Sequence, residues 1–217
     1  MRSKRQSGKF RFAGPSILTL YFVCLAICAQ AQETAIQPQE VLSKYEDART
    51  LRRTDPKKAG VLLIEAAEGN VIEAQLELAG AYITGEYGLL KDSEAAAKWY
   101  SRAATAGNPE AQYRLALCYS LGEGVEKNLA LKISWLKQAA KLGHTKSQTM
   151  LGKALMFGDG VKLDYVEAIV WLRQAADKDE WEAQRYLALC YENGLGVPKD
   201  SAEGGRWRAK SEKNRLK

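Results

Sequence analysis

The chain is poor in the residue types on which most catalytic and metal sites depend. It contains one histidine, His144, and four cysteines among 217 residues. A zinc site takes several cysteine or histidine ligands at short spacing, and His144 has no companion of that kind, so we interpret it as a turn residue. No nucleophile, base and orienting group can be combined from the sequence. We therefore predict no catalytic residue, no metal site and no cofactor.

Phosphate-binding and nucleic-acid-binding patterns are also missing. The glycine-rich stretch 122–127 does not follow the G-x-x-x-x-G-K-S/T order of a P-loop, and no predicted strand precedes it. The chain has 32 basic and 26 acidic residues. Five of the bases and none of the acids lie in residues 1–31, so the remainder has 27 bases against 26 acids. Because no basic stripe with interleaved aromatic residues is found, nucleic acid is not a predicted partner.

Only one apolar run suggests export or membrane insertion. It covers residues 17–29, whereas a transmembrane helix needs about 20 apolar residues. The run follows a basic start and ends in Ala29-Gln30-Ala31, a pattern typical of a secretory signal peptide that is cut after Ala31. We predict a signal peptide over 1–31, a periplasmic or secreted protein, and no stable membrane insertion after cleavage. An uncleaved N-terminal membrane anchor is the alternative.

What the chain has in abundance is repetition with a fixed period. Trp99, Trp135, Trp171 and Trp207 are each 36 residues apart. Alanine pairs, glycines and Asp or Asn residues recur in step with them. A period of this size predicts a stacked repeat array. The tryptophans lie among alanines on an apolar face, so packing in the core is favoured over a platform for a ligand.

The unit from 109 to 144 shows how each repeat is built. Apolar residues spaced as on one face of a helix run from Ala111 to Tyr119. Gly122 is suited to end that helix, and Asn128 is suited to cap the next one. The sequence thus predicts an all-α chain of about ten helices. Its predicted parts are a disordered lead-in over 32–39, capping helices over 40–71, and repeats over 72–108, 109–144, 145–180 and 181–217, the last including a C-terminal cap.

The cysteines are predicted to stay unpaired. Cys24 and Cys28 lie in the apolar run, whereas Cys118 and Cys190 occupy equivalent positions two periods apart. A disulfide needs Cα atoms within about 7 Å of each other, and equivalent positions two repeats apart should be farther than that. We therefore expect Cys118 and Cys190 to be small buried residues of the core.

The pattern that recurs from unit to unit identifies a family. In the unit 109–144 it is carried by Ala111, Leu115, Ala116, Tyr119, Gly122, Gly124, Val125, Asn128, Trp135, Ala139, Ala140 and Gly143. This pattern resembles the Sel1-like repeat family, a relative of the tetratricopeptide repeat, and the resemblance covers 72–213. It implies a right-handed α/α superhelical solenoid that binds other proteins, with the first helix of each repeat on the concave side. Exported members often act as adaptors or regulators.

Two classes of function follow from these observations. The favoured one is a non-catalytic, exported adaptor or regulator that binds a protein segment in the concave groove, and an inhibitor of a membrane sensor would belong to this class. The alternative is an envelope enzyme of hydrolase type that acts on cell-wall or β-lactam substrates. The missing nucleophile–base set argues against the enzyme.

The first helices offer a candidate surface for the partner. On a helical wheel, the face opposite Ala111, Leu115 and Tyr119 holds positions whose residues differ from unit to unit. We predict partner-binding residues at Leu76, Ile83, Tyr113, Leu117, Lys153, Met156, Arg185, Leu189 and Glu192. Several are apolar, which is typical of an interaction site when the residues are exposed. The alternative is that Leu117 and Leu189 pack beneath the neighbouring repeat.

Overall fold

Helices follow one another, with short turns between them, throughout the described part of the chain. The computed structural model describes residues 38–216. Its ten helices are α1 (Pro38–Leu51), α2 (Pro56–Glu68), α3 (Ile72–Thr84), α4 (Ser93–Thr105), α5 (Pro109–Leu121), α6 (Leu129–Lys141), α7 (Thr145–Phe157), α8 (Tyr165–Ala176), α9 (Trp181–Asn193) and α10 (Ser201–Arg215). The prediction of an all-α repeat solenoid is confirmed for these residues.

The N-terminal predictions fall mostly outside this part of the chain. The predicted signal peptide over 1–31 lies outside the described residues, as does the lead-in up to residue 37. Pro38 and Gln39, which we expected in the lead-in, begin α1 instead. The stretch Val41–Lys217, which holds all the repeats, forms a compact unit of its own. Within residues 38–216, no helix is both long and apolar enough to cross a bilayer.

Local sequence explains where the helices begin and end. Each of α4, α6, α8 and α10 follows an Asp or Asn whose side chain accepts a hydrogen bond from an amide of the first turn, as Asn128 does from Leu131 at 3.0 Å. Gly122 ends α5 in the left-handed conformation, with φ at 79°, where glycine is favoured. Asp179 takes φ 63° in the turn after α8, so it replaces the glycine of the other turns in the same conformation.

The glycine loops hold successive helix pairs against each other. A Cβ atom at Gly124 would lie 1.9 Å from the carbonyl oxygen of Ser93, the first residue of α4. Glycine is therefore needed at the point where the loop after α5 contacts the start of α4. From α2 onward, each helix also packs on the next one along the chain, and α7 touches α9. The first helices α3, α5, α7 and α9 thus lie in sequence along one side of the stack.

A buried glutamine fixes how each first helix is rotated. The fourth residue of α3, α5, α7 and α9 is a glutamine whose side-chain nitrogen donates to a carbonyl oxygen near the end of the preceding second helix. These bonds join Gln75 to Ala67, Gln112 to Ala104, Gln148 to Ala140 and Gln184 to Ala176, at 3.0 to 3.2 Å. The last carbonyls of a helix lack partners within it. Each of these carbonyls accepts from an amide of the following turn, and the glutamine adds a second hydrogen bond while lying in the core.

The tryptophans and cysteines belong to this packing. Trp207 is buried, and the other three periodic tryptophans lie partly buried against the hydrophobic clusters. Cys118 and Cys190 are buried and free, as predicted. Burial raises the pKa of the Cys190 thiol to about 11, so this thiol stays protonated at neutral pH and its reactivity is low.

Candidate functional site

The first helices share an open face that carries two grooves. The N-terminal groove lies along α1, α3 and α5, with one residue from α4, and has a volume of about 440 Å³; it is lined by Tyr45, Glu73, Leu76, Glu77, Gly80, Tyr100, Glu110 and Arg114. The C-terminal groove lies along α5, α7 and α9 and has a volume of about 270 Å³; it is lined by Tyr113, Lys146, Thr149, Met150, Lys153, Glu180 and Glu182. Most of these residues occupy the second, fifth, sixth and ninth positions of a first helix.

Several predicted residues lie on this face. Leu76 lines the N-terminal groove, and Tyr113 and Lys153 line the C-terminal one. Arg185 is exposed, and its guanidinium lies 5.0 Å from the centre of the Tyr186 ring. These positions agree with a surface that is open to a partner.

Three other predicted residues, Ile83, Leu117 and Leu189, are at least partly exposed but line neither groove. Leu189 is 38% exposed, so it does not lie wholly beneath the next repeat, whereas Leu117 is half-buried. Ile83 is 37% exposed near the end of α3. The alternative of packing beneath a neighbouring repeat therefore applies to Leu117 more than to Leu189.

Two predicted residues face elsewhere. Met156 is only 3% exposed, and its sulfur lies 3.9 Å from the Cys190 sulfur in the core, so the prediction of an exposed Met156 is wrong. Glu192 accepts two hydrogen bonds from the guanidinium of Arg208 on α10, at 3.0 and 2.5 Å. Its carboxylate is therefore directed at a second helix and lies away from both grooves.

The buried glutamines explain both errors. Our wheel defined the buried face by Ala111, Leu115 and Tyr119 alone, but Gln112 also lies in the core beside Ala111 and Leu115. When Gln112 is counted as buried, the centre of the buried face rotates around the helix axis. The exposed face opposite it then loses the twelfth position of each first helix and gains the second and sixth. The wheel consequently missed Glu73, Glu77, Glu110, Arg114, Lys146, Met150 and Glu182. The signal was available, because glutamine recurs in all four units at 75, 112, 148 and 184.

Two tyrosines hold a carboxylate in the N-terminal groove. The Tyr45 hydroxyl donates to Glu77 Oε2 at 2.9 Å, and the Tyr87 hydroxyl donates to Glu77 Oε1. Burial and then the hydrogen bond to Glu77 raise the pKa of Tyr45 to about 12, and the same causes raise the pKa of Tyr87. Both phenols are therefore neutral donors at ordinary pH, and the negative charge of Glu77 is oriented but not cancelled.

Glu110 connects the two grooves through His144. Its carboxylate accepts from Arg114 Nε at 2.6 Å and lies 3.0 Å from His144 Nε2. Burial alone would raise the pKa of Glu110, but the hydrogen bonds and charges of Arg114 and His144 outweigh burial and lower it. The His144 ring also contacts Tyr113, with centroids 5.1 Å apart. The sole histidine thus lies between the grooves and is more than a turn residue.

His144 also completes an arrangement that resembles a hydrolase triad. Its Nδ1 lies 2.8 Å from Ser147 Oγ, and its Nε2 lies 3.0 Å from Glu110 Oε2. A nucleophilic serine must be reached by its substrate, yet Ser147 is 0% exposed. The Ser147 amide donates to the same Nδ1 at 3.3 Å, so His144 is the N-cap of α7. The arrangement is therefore a helix cap.

Beside the C-terminal groove, cations lie close to aromatic rings. Lys153 Nζ lies 6.0 Å from the centre of the Tyr186 ring and 4.0 Å from Glu182 Oε1. Phe157, which is 59% exposed, meets the same ring edge-on at 6.1 Å. Aromatic residues with adjacent cations are common at interaction sites, where the rings supply area and the cations orient the partner.

The described residues show no constellation suited to a metal ion. Over residues 38–216, no three His, Cys, Asp or Glu side chains come together in a way that could hold one. Two of the groove acids are instead bonded to other side chains: Glu77 to phenols, and Glu110 to arginine and histidine.

Comparisons with known proteins agree with this fold. The Sel1 repeat model matches residues 72–108, 109–144, 145–180 and 181–210. A protective antigen present in uropathogenic Escherichia coli strains, which displays an SLR fold, is 31% identical, with a TM-score of 0.75 over 87% of this chain and 40% of that one. A Sel1 repeat protein from Oxalobacter formigenes is 26% identical, with a TM-score of 0.75 over 90% of this chain and 84% of that one. This chain therefore spans well under half of the E. coli protein. A search of curated proteins gave no match.

Proposed function

Because the chain belongs to the Sel1 repeat family, whose members are typically protein-interaction modules, we propose that it acts without catalysis by binding a segment of another protein along the first-helix face. The observation that carries this proposal is the pair of open grooves, each of which extends over consecutive first helices. An extended or helical segment can contact several repeats at once in such a groove, and no side-chain chemistry is required of the protein.

Differences between equivalent positions support recognition at this face. The seventh residue of the first helices is a fully buried leucine each time: Leu78, Leu115, Leu151 and Leu187. The fifth residue, by contrast, is Leu76, Tyr113, Thr149 and Arg185 in turn. Packing therefore repeats with the period while the groove changes from repeat to repeat. A surface that varies on a constant scaffold can distinguish one partner sequence from another.

More specifically, we propose that the protein is an exported adaptor or regulator that is periplasmic or secreted. Its support is the sequence of residues 1–31, with a basic start, an apolar run and a small-residue cleavage site. A regulator that inhibits a membrane sensor would use the same face. Mass spectrometry of the protein from its native host should find an N-terminus at Gln32, and an intact residue 1 would favour the uncleaved anchor.

Site-specific crosslinking tests the binding face directly. The photoreactive residue p-benzoylphenylalanine placed at Tyr113, in the C-terminal groove, should crosslink the partner in the native host. The matched control is Val170, which is 52% exposed on α8 and lines neither groove. Equal crosslinking at Val170 and Tyr113 would contradict binding at the first-helix face.

A double variant then asks whether the groove side chains contribute affinity. With the crosslinker at Lys153, Tyr113→Ala combined with Leu117→Ser should abolish capture of the partner while the melting temperature changes little. Loss of folding would instead show that Leu117 belongs to the core. Tyr113→Ala alone is the second variant, because Tyr113 is only partly buried, and unchanged capture by that variant would remove Tyr113 from the binding surface.

A further inference from the structure

Gly80 leaves an empty space in the N-terminal groove. It is the ninth residue of α3, where the other first helices have Leu117, Lys153 and Leu189. Glycine weakens a helix interior, so its presence needs a reason. A Cβ at Gly80 would have one neighbour within 4 Å, the Tyr100 hydroxyl oxygen at 4.0 Å. Packing therefore does not require glycine here, and its effect is to open a recess in the groove.

The hydroxyl of a largely buried tyrosine faces this recess without a partner. Tyr100 is the eighth residue of α4, a position that is Leu136 in α6 and Leu172 in α8. Its side chain is only 7% exposed, yet it lines the N-terminal groove. Among residues 38–216, nothing forms a hydrogen bond with its hydroxyl. The hydroxyl is therefore free to form a hydrogen bond with a ligand atom in the recess.

The charge around the recess is negative. Glu73, Glu77 and Glu110 line the groove together with one base, Arg114, and Arg114 is paired with Glu110 at 2.6 Å. In the described part of the chain, neither Glu73 nor Glu77 forms an ion pair. The nearby bases Arg49 and Arg52 form ion pairs with Glu46 and Glu86, and Arg53, which lines an adjoining pocket with Glu77, forms no ion pair with it. Two carboxylates are therefore left to attract a cation from outside the chain.

We propose that this recess, formed by Leu76, Gly80 and Tyr100 below Glu73 and Glu77, binds a basic side chain of the partner segment, with arginine as the best fit. The aliphatic stem takes the place of the side chain that Gly80 lacks and lies on Leu76. The guanidinium, which has five N–H donors and no acceptor, donates to the two carboxylates and to the Tyr100 hydroxyl. The inference rests on the proposed function and assigns the chemistry of one contact within it.

A small probe tests the recess without knowledge of the partner. Nα-acetyl-arginine amide is titrated into the ¹⁵N-labelled protein, with Nα-acetyl-citrulline amide as a neutral control of the same shape. The arginine probe should shift amide signals of α3 and α4 with a dissociation constant on the order of 1 mM, the range of a single weak contact. The citrulline probe should shift them far less.

Variants identify which atoms hold the probe. Gly80→Leu, which introduces the residue found at 117 and 189, should abolish binding without lowering the melting temperature. Tyr100→Phe should weaken binding about fivefold, the usual effect of one hydrogen bond, also without loss of stability. Glu73→Gln with Glu77→Gln should weaken it by about tenfold or more, whereas Glu126→Gln, in an exposed loop, should leave it unchanged.

Failure of this inference can be told apart from failure of the proposed function. No binding of the arginine probe to the unaltered protein, equal binding of the citrulline probe, or full binding to Gly80→Leu would each overturn the recess. If any of these results were found and crosslinking at Tyr113 persisted, the first-helix face would still bind a segment, but the side chain of that segment at Gly80 would not be basic. If crosslinking failed while the probe bound, the recess would stand as a cation site and the proposed function would not.

Discussion

The N-terminal and C-terminal grooves are built on the same repeat and yet present different chemistry. The N-terminal groove has three carboxylates against one paired arginine, with Glu77 held by two phenols, and an open recess at Gly80. The C-terminal groove has Lys146 and Lys153 balanced by Glu180 and Glu182, and Arg185 lies on a neighbouring ring. The scaffold therefore does not determine what binds. A net negative charge in one groove and a balanced charge in the other can instead fix the direction in which a segment lies, with its basic end toward α3.

The largest expected difference concerns two helix glycines, Gly80 in the N-terminal groove and Gly152 in the core beneath α7. A Cβ at Gly152 in α7 would lie 2.6 Å from Leu172 Cγ and 3.2 Å from the Ala168 carbonyl oxygen. Gly152→Ala should therefore overpack the core and lower the free energy of unfolding by about 1–3 kcal/mol. Gly80→Ala meets open space and should raise it by about 0.5–1 kcal/mol, because alanine favours the helix. Urea denaturation of both variants measures the difference.

Changes of opposite sign in the free energy of unfolding would distinguish Gly152, which packing requires, from Gly80, which opens a recess. A loss of stability in Gly80→Ala comparable with that in Gly152→Ala would mean that α3 needs glycine for its own packing. The recess would then be a by-product of the fold, and the contrast between the two grooves would lose its functional meaning.

Local chemistry could be predicted from the sequence, and long-range contacts could not. The N-cap at Asn128 and the left-handed turn at Gly122 depend on residues close in the chain, so pattern and period were sufficient for both. The direction of Glu192 depends on Arg208, which lies on another helix. The recess could not be predicted for a similar reason. The sequence indicates only that Gly80 is a small helix residue and Tyr100 a core residue, and their proximity depends on the fold.

A smaller effect is expected where the two grooves meet. His144 caps α7 and also contacts Glu110 of one groove and Tyr113 of the other. His144→Ala removes the cap and should lower the free energy of unfolding by about 1 kcal/mol. His144→Asn is the matched control, because Asn108 caps α5 at the equivalent position, and it should keep most of the stability. Equal losses in the two variants would assign the effect to the Glu110 contact.

The smallest effect concerns phenols of the two grooves at alkaline pH. Burial and the hydrogen bond to Glu77 raise the pKa of Tyr45 to about 12, whereas burial is the main cause that raises the pKa of Tyr113 in the other groove. Glu77→Gln should therefore lower the pKa of Tyr45 toward its ordinary value of about 10 and leave Tyr113 almost unchanged. Titration of ring-labelled tyrosines by NMR follows both groups in one sample.

The same shift has a consequence for stability with a definite sign. A phenol whose pKa is higher in the folded than in the unfolded chain stabilises the fold fully below about pH 10. That contribution is lost as the pH rises from about 10 through the folded value of about 12. Urea denaturation at pH 9 and pH 11 should therefore show a loss that is smaller in Glu77→Gln than in the unaltered protein. An equal loss in both would mean that Glu77 does not hold Tyr45, and the N-terminal groove would then be no more preorganised than its counterpart.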